Sequence, residues 1–298
     1  MHELPRDPRQ EVRARARSLS PLYTHTRELR VKAYLTSLYW APTLYFAWAN
    51  GSFSSVKQVG GALIYYLDRR HSSDATEVLA FPDGFRMLTG DPFKRSYDGS
   101  QTAQAIGWNC LGGAQPTRKP ELPSGNCPNG LRAEIRFPSC WNGVELDTDD
   151  HHSHVAYSDG ESGPCPAAFP KRIETLFYEI LWDVDAFEQH RPQALDPDSP
   201  FVLSDGDASG GYSLHGDFIN GWDHDVLQEA IRTCTYDSGV IEECKIFDLY
   251  PSGHECHTVR PHPCFLTHVG ADGGGTSRLR TLTRLCWALS TSSRATTR

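Results

Sequence analysis

Breakers limit what this chain can fold into. Its 25 glycines and 20 prolines recur so often that long helices have little room, and short strands joined by ordered loops are favoured. The longest apolar run, Leu38 to Ala49, falls short of the roughly 20 residues of a membrane-spanning helix and is interrupted by Pro42. At 298 residues the chain has room for one large domain or two small ones. The pattern predicts a mainly β fold: a β-sandwich or jelly-roll-like single domain with a few short helices.

From Leu38 the sequence Y-W-A-P-T-L-Y-F-A-W alternates aromatic and small residues as buried strands do. It ends at Asn50-Gly51-Ser52, a turn that is also an N-glycosylation sequon. Further strands are predicted at Val56–Leu67 after a Gly-Gly break, at 78–81 and 85–88 around Pro82-Asp83-Gly84, and at Leu131–Phe137. In the last of these Ile135 and Phe137 share one face and Arg132, Glu134 and Arg136 the other. Ile173–Val184 is apolar on both faces and fits either a central strand or a short helix. Phe201–Ser204 is a strand ending in the turn Asp205-Gly206-Asp207. Asp223–Cys234 is the clearest helix, with Asp223 or Asp225 as its cap and Val226, Leu227, Ala230 and Ile231 as its apolar stripe.

Charge divides the chain into three. Residues 1–35 hold eight Lys/Arg against four Asp/Glu, and 265–298 hold five against one, so 36–264 holds 16 against 32. The two basic ends read as a disordered arm and tail around one acidic body. An acidic body repels phosphate backbones, which argues against nucleic acid as a partner. The nine cysteines include no CxxC pair, so disulfide staples of an oxidising compartment fit better than a zinc knuckle. The odd count leaves one over, and Cys286 in the tail is the candidate. Residues 1–20 are polar and arginine-rich, without the apolar core of a secretion signal.

Chemistry concentrates in two clusters. Arg132 to His154 ends in Asp147, Asp149, Asp150, His151, His152 and His154; Leu214 to Asp225 carries His215, Asp217, Asp223, His224 and Asp225. In H-G-D an extended backbone puts His215 and Asp217 on one face. Imidazoles beside carboxylates serve general acid–base chemistry or hold a divalent metal, for which His151, His154 and His215 are the candidate ligands. Trp141, Tyr212 and Trp222 offer flat surfaces for sugar rings. The bland readings are that Asp223 only caps a helix and that Trp141 only covers a disulfide at Cys140. The expectation drawn here is that the two clusters meet.

These residues also carry a resemblance. F-P-S-C-W-N-G-V-E-L-D-T-D-D-H-H-S-H-V-A-Y, then G-P-C-P, then L-S-D-G-D-A-S-G-G-Y-S-L-H-G-D-F-I-N-G-W-D are similar to the fungal secreted domain catalogued as DUF1996, often found beside WSC carbohydrate-binding modules. The upstream Y-W-A-P-T-L-Y-F and F-P-D-G-F-R-M-L-T-G-D-P resemble it as well, so that the likeness spans about residues 38–257. It implies an extracellular, disulfide-bonded protein at or near a cell wall, with a polysaccharide or glycan as partner. Here the arginine-rich 1–35 replaces the family's usual signal peptide and cysteine pair.

Three functions follow as expectations. The first is a polysaccharide-active hydrolase with Asp150 and Asp217 as its acid/base pair, roughly 5–10 Å apart, tuned by His151, His154 and His215. The second is a non-catalytic glycan-binding or structural wall module with Trp141, Tyr212 and Trp222 as an exposed platform. The third is a metal-dependent phosphodiesterase or oxidase with Asp/His ligands.

Overall fold

A computed structural model describes residues 37–69, 76–112, 118–235 and 243–247. The predicted arm at 1–35, the predicted tail at 265–298 and Cys286 lie outside the described residues. In chain order the elements are β1 (Leu38–Trp40), β2 (Leu44–Ala47), β3 (Phe53–Ser55), β4 (Gln58–Leu67), β5 (Arg86–Gly90), α1 (Gln101–Ala105), β6 (Ile106–Cys110), β7 (Leu131–Arg136) and β8 (Cys140–Trp141). They continue as β9 (Val155–Ala156), β10 (Lys171–Arg172), β11 (Thr175–Trp182), a 3₁₀ segment (Asp185–Gln193), β12 (Phe201–Leu203), β13 (His215–Ile219) and α2 (His224–Thr233). The fold is mainly antiparallel β with few short helices, and its strands form four small sheets: β4-β11-β7-β6, β1-β13-β5, β12-β2-β3 and β10-β8-β9.

Ile173–Val184 resolves to a strand. β11 lies between β4 and β7, and its Leu176, Tyr178, Ile180 and Trp182 are all buried. A helix would spread these side chains around its axis, whereas the strand's period of two puts them on one face. The Gly-Gly break falls inside β4 rather than before it. Ala62 pairs with Ile180 and Gln58 with Trp182, so extra residues bulge on the β4 side. Gly60 and Gly61 absorb the bulge at φ of 78° and 77°, a region costly for any residue with a Cβ.

Residues 78–81 are not a strand. They make one bridge, Leu79 to Ile173, while the Gln228 side chain of α2 accepts from Ala80 N (2.9 Å) and donates to Val78 O (3.0 Å). A helix side chain thus takes backbone groups that a neighbouring strand would have used. α2 itself starts where its cap predicts: Asp223 accepts from Asp225 N and Val226 N.

The sheet of β1, β13 and β5 packs face to face on the four-stranded sheet. Gly216 lies so close to β7 that a Cβ there would come within 2.8 Å of Phe137 and 3.1 Å of Ile135. Phe218 packs on Tyr39 (5.6 Å between centroids) and Phe81 (4.9 Å). Because Gly216 and Phe218 face the core, strand alternation turns His215 and Asp217 to the outer face. Among the described residues three disulfides join Cys110 to Cys127, Cys140 to Cys165 and Cys234 to Cys244. The second closes the loop that carries the whole first Asp/His cluster.

Candidate functional site

β13 positions the site. Its partners across the ladder are fixed: Asp217 lies opposite Trp40 of β1 and Leu88 of β5, and His215 lies opposite Gly90. Gly90 has φ of 86°, and a Cβ there would meet His215 Cα at 2.8 Å, so the close approach of the strands requires glycine. Trp40 packs its ring against His215, with centroids 5.1 Å apart.

The two clusters meet across β5. Leu88, the neighbour of Asp217, donates its backbone N–H to the carbonyl of His151 (2.7 Å). Arg86 N donates to Leu146 O, and His154 Nε2 donates to Arg86 O (2.8 Å). The 146–154 loop is therefore stitched to the free edge of β5, bringing the His151 charge within reach of Asp217.

Asp217 is the acid of this group that sits deepest in the strand ladder, opposite Trp40 and Leu88. Burial pushes its carboxyl above the usual carboxylate range, while the His215 and His151 imidazoles pull the other way. Its Oδ1 is buried without a hydrogen-bond partner. Asp205, at the end of β12, is in the same condition. Burial raises its carboxyl against the opposing pull of the loop's own groups and of His215, and its orphaned Oδ2 lies 3.8 Å from His215 Nδ1. The fully buried Asp207 folds this loop by accepting from Ser209 N, Ser209 Oγ and Ser213 N.

Both imidazoles have assigned protons. A carbonyl can only accept, so the 2.7 Å bond from His215 Nδ1 to Ser213 O places a hydrogen on Nδ1. His151 Nδ1 donates to Asp147 Oδ1 (2.6 Å). Burial raises the Asp147 carboxyl, but the His151 hydrogen bond and charge outweigh it and hold the group below its ordinary range. Each ring is left with Nε2 as the atom that can take or give a proton. His151 is also the one non-glycine residue with positive φ among the described residues, at 57°, a conformation costing about 1 kcal/mol.

Not every expected residue joins them. Asp150 is exposed and accepts from Ser153 N and Oγ, His152 N and Thr148 Oγ1. Led by the Ser153 hydroxyl, these bonds hold it well below the carboxylate range, so that of the expected Asp150/Asp217 pair it is unsuited to the acid role. His154 is fully buried, its Nε2 bound to Arg86 O and its Nδ1 against Thr148 Oγ1 (3.1 Å). With both nitrogens engaged it fixes the loop and has no nitrogen for a metal or substrate. The set His151, His154 and His215 is accordingly not assembled: among the described residues no three His, Cys, Asp or Glu side chains are arranged to hold a metal ion.

The aromatic platform also separates. Trp222 is buried, 3% exposed, with Nε1 donating to Tyr66 Oη (2.7 Å), so it is core rather than a sugar-binding surface. Trp141 is half-buried, edge-on to Phe85 and tied through Nε1 to Glu145 O (2.6 Å). Tyr212 is half-buried beside Gly90, Lys94 and Tyr97. Asp205 and Trp40 were missed as site residues. The sequence signals were present: Asp205 in a D-G-D turn ten residues before His215, and Trp40 out of phase with the core-facing Tyr39. Beside the site lies a cleft of about 520 Å³ lined by Leu88, Gly90, Phe93, Asp150, His152 and Tyr157.

The class this defines is a disulfide-stapled, antiparallel β domain with an Asp/His site on the outer face of one small sheet. The chain belongs to the family described as a domain of unknown function (DUF1996), whose model matches residues 27–222. The match begins ahead of the boundary at residue 36 expected from composition and ends at Trp222. No curated protein matches the chain, and no solved structure does. Among the described residues no helix is long and apolar enough to cross a membrane.

Proposed function

We propose that the domain is a secreted, polysaccharide-active hydrolase at or near a cell wall, working by general acid–base catalysis. The observation that carries this reading is Asp217, a largely buried carboxyl whose proton affinity desolvation raises, with Oδ1 left without a partner and two imidazoles with assigned protons close by. Protonated Asp217 donates to the glycosidic oxygen as the bond from that oxygen to the anomeric carbon breaks. His151, half-exposed and oriented by Asp147, takes a proton from a water through Nε2, and the water oxygen bonds to the anomeric carbon. The proton then returns from imidazolium to Asp217 through solvent, so charge and atoms balance. His215 and Asp205 are positioning residues that set the proton affinity of Asp217. Trp40 offers its ring as a flat wall beside them.

The test is release of new reducing ends from a panel of neutral and acidic polysaccharides. Wild-type protein should release them, and Asp217→Asn should lose at least about 100-fold while keeping its fold. Equal release by both proteins would contradict the assignment. A second reading, a non-catalytic glycan-binding module, draws on the cleft beside β5 and on Phe93, 78% exposed at its rim. It predicts glycan binding by wild type and Asp217→Asn alike, weakened by Phe93→Ala, with no product from either.

A further inference from the structure

The sequence contains one Asn-x-Ser/Thr triplet with x other than proline, Asn50-Gly51-Ser52. The structure puts it at the tip of the hairpin between β2 and β3. Trp48 N donates to Ser52 O and Gly51 N to Trp48 O, both at 2.9 Å, while Trp48 Nε1 donates to Ser54 Oγ (2.8 Å) and holds the hairpin base. The Asn50 side chain is exposed. Its Oδ1 accepts two hydrogen bonds from the same residue, Ser52 N at 2.9 Å and Ser52 Oγ at 2.7 Å. Its Nδ2 is left facing solvent.

This arrangement bears on reactivity. A carboxamide nitrogen is a poor nucleophile because its lone pair is delocalised toward the oxygen. Two donors on Oδ1 draw density onto that oxygen and make Nδ2–H easier to deprotonate. The bonds span three residues, so the tripeptide can make them before the domain has folded. The folded state then leaves the nitrogen at a hairpin tip, where a bulky substituent meets no packing. Three disulfides among the described residues fit the oxidising compartment in which this modification takes place.

We propose that Asn50 is an N-glycosylation site. In the transfer a bond forms between Nδ2 and the anomeric carbon of an oligosaccharide donor activated as a lipid-linked diphosphate. The bond from that carbon to the diphosphate oxygen breaks, and its electron pair leaves with the lipid diphosphate. One Nδ2 proton passes to a carboxylate of the transferring enzyme, with no change of oxidation state. The attached glycan would stand beside β3, the edge strand of the β12-β2-β3 sheet, and shield that edge from pairing with a second chain. Asp217 lies on a different sheet, so the modification is independent of the proposed hydrolysis.

The test expresses the full chain behind a cleavable secretion leader in a eukaryotic host and measures intact mass before and after peptide-N-glycosidase. Wild type should lose the mass of one glycan, and the released peptide should carry Asp at position 50. Asn50→Gln and Ser52→Ala should show no glycan, and Ser52→Thr should keep it. Secreted, disulfide-bonded protein unmodified at Asn50 would overturn the proposal. Translation into endoplasmic-reticulum microsomes gives a readout that does not depend on secretion. There, a protease-protected wild-type chain with the mobility of Asn50→Gln would overturn it equally.

Discussion

Asp217 is an acid whose surroundings oppose its ionisation, and that has a consequence for stability. Its folded proton affinity is raised above the unfolded one, so its contribution is fully present below the unfolded carboxylate range and is lost as pH rises through the folded value. Removing the charge should therefore help at high pH. Asp217→Asn is expected to be more stable than wild type at pH 7, with the gap closing toward pH 3.5, as read from denaturant titrations at the two pH values. Asp205→Asn should behave the same way, since burial raises that carboxyl too. His151 gives the opposite separation. Its φ of 57° suits glycine, so His151→Gly should leave stability within about 1 kcal/mol of wild type. Hydrolysis by the variant should fall by about 100-fold or more.

Among the elements, the 140–165 loop and β5 decide whether the site exists. The Cys140–Cys165 bridge closes the loop bearing Asp147 and His151, and breaking it with Cys140→Ser/Cys165→Ser should cost roughly 3–4 kcal/mol in thermal or denaturant unfolding. His154→Ala removes the ring's bonds to Arg86 O and to Thr148 Oγ1 and should cost about 2–3 kcal/mol, with activity lowered through displacement of His151. Gly90→Ala forces a Cβ into His215 and should weaken the site by the same route. The sequence foreshadowed much of this level. Period-two alternation identified β7, and H-G-D correctly placed His215 and Asp217 on one face, because strand geometry is local. What escaped was set by distant partners. Residues 78–81 lost strand pairing to a helix glutamine, Trp222 was drawn inward by Tyr66, and His154 was turned to the backbone of β5. Asp150 and Asp217 have the same side chain, and only their hydrogen bonds and burial tell the carboxyl held low from the one pushed up.

At the scale of the molecule, four small sheets and three disulfides among the described residues hold two sequence clusters some 60 residues apart against a common strand. The central claim is that this assembly raises the proton affinity of the Asp217 carboxyl beside His215 and His151. It is tested most directly by titrating the protein labelled with ¹³C at aspartate carboxyls and following the resonance that disappears in Asp217→Asn. The fold described here predicts that this resonance changes above the ordinary carboxylate range near pH 4. A carboxyl that titrates at or below that range would contradict it.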